Sequence, residues 1–204
     1  MINPALYFFD EQVETLKAHA ASVKTMKNSK AREAIIRTAA RLFYKQGYSR
    51  TGINQIIEEA DIAKSTLYQH FKSKEELLLA YLEEAGETTV TALIDAANKE
   101  TQPLAKILSI FSYIDQLITQ PDFYGCHFLN LVYEMPEGDE LTRTEVKKQK
   151  DAVRQLIGEA VNSLKRPELA DEIYTLFEGA LIAHKIHQNN WPIQSAMNVV
   201  RKIV

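Results

Sequence analysis

The chain has 204 residues, 46% of them apolar and 25% charged, with a formal net charge of −3, which suits a core in one domain or two small ones. Its single cysteine, Cys126, excludes an intrachain disulfide framework and fits a reducing compartment. The opening MINPALYFFDEQ lacks a basic n-region, and no uncharged apolar run approaches the roughly 20 residues of a membrane helix, so the expectation is the cytoplasm and no membrane partner.

Only seven Gly and six Pro interrupt long windows of helical periodicity, which makes all-α the expected class. Leu6, Phe9, Val13, Leu16, Ala20 and Val23 recur at spacings of three and four, predicting an amphipathic helix over about 5–24. Asn28 and Ser29 offer an N-cap for a helix over about 30–46, closed by Gly47 at its C′ position. At about 100° per residue, Lys30, Arg37, Arg41 and Lys45 share one sector of that helix, opposite Ile35, Ile36, Ala39, Leu42 and Phe43.

Thr51 is expected to cap a short helix that turns Ile53, Ile56, Ile57 and Ala60 inward, and Asp61 stands where a tight turn needs left-handed backbone. A second short helix, about 63–70, buries Leu67 and leads to an inward Phe71, leaving Lys64, Ser65, Thr66, Tyr68 and Gln69 outside. Ser73 and Glu76 form an S-x-x-E capping box that opens a long helix with Leu77, Leu78, Tyr81 and Leu82. Two short helices and a turn followed by a capped long helix is helix-turn-helix spacing, over about 52–71.

Downstream, Pro103 opens a helix to about Thr119, and GCHFLNLVYE forms another that Pro136 and Gly138 end. A segment over 139–165 is apolar at Val146, Val153, Leu156, Ile157, Ala160 and Leu164. Pro167 opens the next, and Asn189-Asn190-Trp191-Pro192 breaks it before a terminal helix. Charge divides along the chain: residues 1–74 carry 12 Lys/Arg against 7 Asp/Glu, and residues 75–204 carry 12 against 20. A basic end beside an acidic body suggests either an anionic partner or merely a solvated helix face.

Residues 30–82 resemble the N-terminal domain of the TetR family of transcriptional regulators, through AAxLFxxxGYxxTxIxxI at 39–56 and KSTLYQHFKSKEEL at 64–77. The resemblance implies a DNA-binding domain over 27–77 and a ligand-binding and dimerisation domain over 78–204. The function implied is a sequence-specific regulator of transcription and not an enzyme, a repressor that a small organic effector releases from a pseudo-palindromic operator. It places Thr51 against phosphate and Lys64, Ser65 and Thr66 in the major groove. Tyr68, Gln69 and His70 would contact backbone or neighbouring bases, and Lys30 and Lys74 phosphate. Exposed polar side chains at helix N-termini bind phosphate, and base edges are read in the major groove, which agrees independently. Two positions depart from the family pattern: Asp61 stands where Gly is usual, and Ala63 where Ser or Thr is usual. Chains of this family commonly begin shortly before the helix that starts here near Lys30, and Met26-Lys-Asn-Ser-Lys resembles such a start. Residues 1–26 are therefore either an extra N-terminal helix or an upstream extension.

A reader of two half-sites needs two copies, and the resemblance implies a homodimer built from the helices over 139–165 and 167–188. The candidates are Val153, Leu156, Ile157, Ile173, Phe177, Ala180 and Leu181, the alternative being burial against the monomer's own helices. An apolar or aromatic effector would meet Phe111, Ile114, Phe123, Tyr124, His127, Phe128 and Leu131, with Phe177 and His184 from the later helix. The same stripe also reads as plain core, the commoner role of such side chains. Cys126 is either a redox or electrophile sensor or an inert buried thiol, and no Lys or Arg lies near it in sequence to activate it. His184 and His187 lack a third ligand, so no metal is expected, and no Gly-rich phosphate loop or G-x-S-x-G elbow points to a cofactor or hydrolase. The competing classes are an all-helical enzyme or small-molecule carrier with a vestigial helix-turn-helix, and a module whose basic end binds an acidic protein.

Overall fold

Helical periodicity becomes helix almost throughout a computed structural model that describes residues 29–204. The amphipathic stripe over 5–24, the boundary near residue 26 and the cap expected from Asn28 lie outside the described residues. Among those described there are nine α-helices, one 3-10 turn and no strand. They are α1 (29–46), α2 (Ile53–Glu59), α3 (Lys64–His70), α4 (Lys74–Asn98), α5 (Pro103–Leu117), α6 (His127–Val132), α7 (Glu140–Val161), α8 (Glu168–His187) and α9 (Trp191–Ile203). None of them is long and apolar enough to cross a membrane.

Local chemistry explains where the first four helices stop and start. Gly47 ends α1 at φ +96, a conformation that side chains with a Cβ rarely adopt. The N-cap of α2 is Gly52 and not Thr51, which corrects the sequence expectation. The Thr51 hydroxyl is turned back instead, donating to the Gly47 carbonyl at 2.7 Å. Asp61 takes the left-handed turn at φ +51, and α3 begins from Ala63 without any side-chain cap. Ser73 caps α4 by accepting the Glu76 N–H at 3.2 Å. The reciprocal half of the box is displaced by one residue, because the Glu76 carboxylate accepts from the Lys72 N–H at 2.7 Å.

Two apolar clusters share α4. Its first turns give Leu77, Leu78, Tyr81 and Leu82 to a cluster with Ile35, Ile36, Ala39, Ile56, Leu67 and Phe71. Its far end gives Leu93 and Ala97 to a cluster with Ile107, Ile110, Phe111, Ile157, Ile173 and Val200. Phe128 and Leu131 of α6 and Val146 of α7 join the first cluster, so the body is docked onto the three-helix unit by apolar contact. Beyond α4, α7 packs on α8 and α8 on α9, which closes back onto α5.

This packing bears on the candidate dimer surface. Val153, Ile157, Ile173, Phe177, Ala180 and Leu181 are buried in the body's own core, and Leu156 packs against it. An amphipathic stripe demands a partner, and here the monomer supplies one.

Asp61 offers a direct test of the turn geometry. Left-handed backbone is strained for a residue with a Cβ and free for glycine. Asp61→Gly is expected to stabilise the fold by up to about 1 kcal/mol, read as a higher urea midpoint at unchanged slope; a lower midpoint would contradict the assignment of strain.

Candidate functional site

The α3 surface follows from which of its residues are held inside. Leu67 and Phe71, four apart, are buried, so the opposite face must point outward. Lys64, Ser65, Tyr68 and Gln69 are exposed there, and Thr66 is half-buried beside them. Tyr68 is 43% exposed, a large aromatic side chain kept in water. On α1, Lys30, Arg37 and Lys45 are exposed while Ile35, Ala39, Leu42 and Phe43 face inward, as the periodicity predicts. Arg41 is exposed on the same face and pairs with Glu59 of α2. The Arg41 hydrogen bond holds the Glu59 carboxyl below its usual range. The pair braces α1 against the helix-turn-helix.

Three of the expected DNA-facing residues sit differently. Thr51 is 1% exposed, and its hydroxyl also accepts from Gln46 Nε2 at 3.2 Å, so its side chain closes the α1–α2 turn and has no surface for a phosphate. The Lys74 ammonium donates to the Tyr48 carbonyl at 2.7 Å and lies 4.0 Å from the Tyr48 ring centroid. Partial burial lowers the Lys74 pKa from the usual lysine value. His70 is half-buried, with an Nε2 that has neither partner nor solvent. It lies on the inner side of α3 in a cleft with Arg32 and Glu76.

A cavity of about 280 Å³ lies in the body, with Tyr44 of α1 contributing to its wall. Ile114, Phe123, His127, Phe128 and Phe177 line it. Four other expected lining residues do not. Phe111 is buried edge-on against Phe177 at 5.4 Å, and Leu131 belongs to the N-terminal cluster. Tyr124 packs edge-on against Tyr44. His184 is 8% exposed, its Nδ1 2.8 Å from the Asn189 carbonyl oxygen, where it closes α8. The polar lining that sequence reading missed comes from distant helices: Tyr44 of α1, Thr88 and Thr89 of α4, and Gln149 and Lys150 of α7.

Cys126 also lines this cavity, and although no Lys or Arg lies near it in sequence, the fold brings one to it. Lys150, 24 residues away in sequence, places Nζ 3.3 Å from the Cys126 sulfur and 2.9 Å from Glu178. Burial alone would lower the Lys150 pKa, but the Cys126 sulfur and the Glu178 carboxylate outweigh it and hold the ammonium above its usual value.

At the cavity wall, two helices of the N-terminal unit grip one residue of the body. The Tyr81 hydroxyl of α4 is 2.5 Å from His127 Nδ1, and the Tyr44 ring of α1 stacks on the imidazole at 3.8 Å. The Tyr44 hydroxyl donates to the Gly125 carbonyl at 2.6 Å and accepts the Tyr124 N–H at 3.0 Å. Burial pushes the Tyr44 phenol up to about 12 and raises the Tyr81 phenol further. Burial also drives the His127 imidazole down to about 4, so it is neutral near pH 7.

The sign of the resulting pH dependence is fixed. An unfolded imidazole takes up a proton near its ordinary value of 6.5 while the folded one resists until about 4, so stability falls as pH falls through that window. His127→Gln is expected to flatten the urea-midpoint profile between pH 6.5 and 4; a profile as steep as that of the unchanged chain would contradict this burial.

Comparison with known proteins places this geometry in company. Residues 35–81 match the family described as "Bacterial regulatory proteins, tetR family". The chain is 25% identical to the HTH-type transcriptional repressor DhaR of Mycobacterium sp. strain GP1, over 86% of this chain and 92% of that one. It is 23% identical to the HTH-type transcriptional repressor NemR of Escherichia coli K12, over 85% and 93%. Among solved structures, a TetR-family transcriptional regulator from Streptomyces coelicolor superimposes with a TM-score of 0.80 at 25% identity, covering 91% of this chain and 92% of that one.

Proposed function

Because the chain belongs to the TetR family of transcriptional regulators and carries that family's helix-turn-helix, we propose that it represses from a pseudo-palindromic operator as a homodimer and leaves it when a small organic molecule fills the cavity. The observation that carries this reading is the outer face of α3, where Lys64, Ser65, Tyr68 and Gln69 stand in solvent because Leu67 and Phe71 do not. A helix with one buried edge and a polar opposite edge can enter a major groove, where Gln can pair with adenine, Lys with guanine, and Ser with either edge. Lys30, Arg37 and Lys45 on α1 supply positive charge for the phosphates. Thr51, Lys74 and His70 would act behind this surface, holding the turn and the start of α4 in place.

Two copies are needed to meet two half-sites. With the inner stripes of α7 and α8 committed to the core, a second copy would meet the outer face of α8. Thr175, Gly179 and Ile186 lie there at helical spacing, and Ile186 is 70% exposed despite its size. The names of DhaR and NemR as repressors support repression here. Release requires an effector that binds the DNA-incompetent arrangement better than the competent one. A cavity walled by Tyr44 of α1 and Lys150 of α7 suits that role, since its occupant would touch both parts at once. Such a protein acts where the DNA is, in the cytoplasm.

Lys64→Ala and Tyr68→Ala are each expected to weaken operator retention at least about tenfold in a mobility-shift titration, at unchanged far-UV helicity. Lys30→Ala is expected to weaken all sequences alike and reduce the salt slope by about one. Unaltered binding of both α3 variants would refute the assignment.

A further inference from the structure

The chemistry of the cavity narrows what can fill it. At about 280 Å³ it lies near the small end of ligand sites, which run from about 300 to 1,000 Å³, so a molecule of one or two rings fits. Tyr113, Phe123, His127, Phe128 and Phe177 give it aromatic walls on several sides, which favour a flat ring over a flexible chain.

Its buried charge is already matched. Lys150 is held by Glu178 at 2.9 Å, and His127 is neutral because burial drives its imidazole down to about 4. An anion would compete with Glu178 for Lys150 and face Asp122 at the wall, while a cation would face Lys150 itself and could reach only Asp122, a carboxylate that already stands in solvent. Neither gains a buried partner that offsets its desolvation.

One residue of this lining has a polar atom left over. Gln149 of α7 is 5% exposed, and its Oε1 has no hydrogen-bond partner. A buried acceptor without a donor is uncommon and costly. The stem of this side chain is fixed from the α4 side: a Cβ built on Gly86 would lie 3.3 Å from Gln149 Cγ. The last torsion of glutamine is broad, so the carboxamide can turn its oxygen toward a donor in the cavity.

We propose that the occupant is a small neutral aromatic molecule carrying a hydroxyl or N–H donor, which meets the carboxamide oxygen of Gln149 while its ring lies between Phe123, Phe128 and Phe177. The proposal rests on the reading of the cavity as the effector site and adds the ligand's chemical class.

The test uses the full chain and three probes of one shape: naphthalene, β-naphthol and β-naphthoate. Their binding is measured by equilibrium dialysis without DNA. β-Naphthol is expected to bind about tenfold tighter than either of the others, because only it satisfies the buried acceptor without bringing a charge. Gln149→Met, close in shape, and Gln149→Leu are both expected to erase that advantage. Naphthalene binding should be retained and the melting temperature kept or raised, since an unbonded buried oxygen is removed. Equal binding of naphthalene and β-naphthol, preference for β-naphthoate, no binding of any probe, or an advantage that survives both substitutions would overturn the proposal. If the predicted preference appears but β-naphthol leaves DNA affinity unchanged, the ligand class stands and the effector reading fails.

Discussion

The burial of Leu67 and Phe71 is the constraint on which the rest of the molecule depends. Seven residues of helix are too few to persist in water alone, because nucleation costs more than so short a ladder returns. α3 therefore exists only because these two side chains are taken into the cluster of Ile56, Leu77 and Leu82. Once that edge is fixed, the helical repeat decides where Lys64, Ser65, Tyr68 and Gln69 must point. The left-handed turn at Asp61 and the Ser73 cap set the angles at which the chain enters and leaves. The polar surface proposed to read DNA is thus a by-product of apolar packing on its reverse side.

The same N-terminal unit reaches backward into the body. α4 belongs to both apolar clusters, and Tyr44 and Tyr81 hold His127 between them at the wall of the cavity. Whatever enters the cavity meets Tyr44 of α1 directly, with no intervening layer. Packed interiors resist gradual deformation and change by discrete rearrangement. On the proposed reading, displacement of Tyr44 from His127 would be the direct physical route from an occupied cavity to the helices that present α3.

Much of this was legible from residues because it depends on neighbours in sequence. The two faces of α1, the glycine stop at Gly47, the Ser73 cap and the inward Leu67 and Phe71 all follow from spacing over a few residues. Thr51 was misread as a cap because a hydroxyl beside a helix start can bond forward or backward, and only the folded turn shows that the Gly47 carbonyl takes it. The α7 and α8 stripes announced burial correctly but not against what: Ile157 and Ile173 meet each other's cluster inside one chain. The cavity's polar set was out of reach for a different reason. Tyr44, Gln149 and Lys150 come from helices about a hundred residues apart in sequence, and Cys126 gains its ammonium neighbour only when α7 folds over α6. Contacts that tertiary structure alone creates leave no periodic trace.

The central claim is that two copies of the α3 outer face read neighbouring major grooves. Selection of bound sequences from random duplex DNA tests it most directly. The account predicts enrichment of one short motif in inverted repeat, its two halves centred about one helical turn apart, or a small multiple of that, and loss of the enrichment when Lys64 is replaced. Recovery of unrelated sequences, or of a single unrepeated motif that survives the replacement, would contradict it.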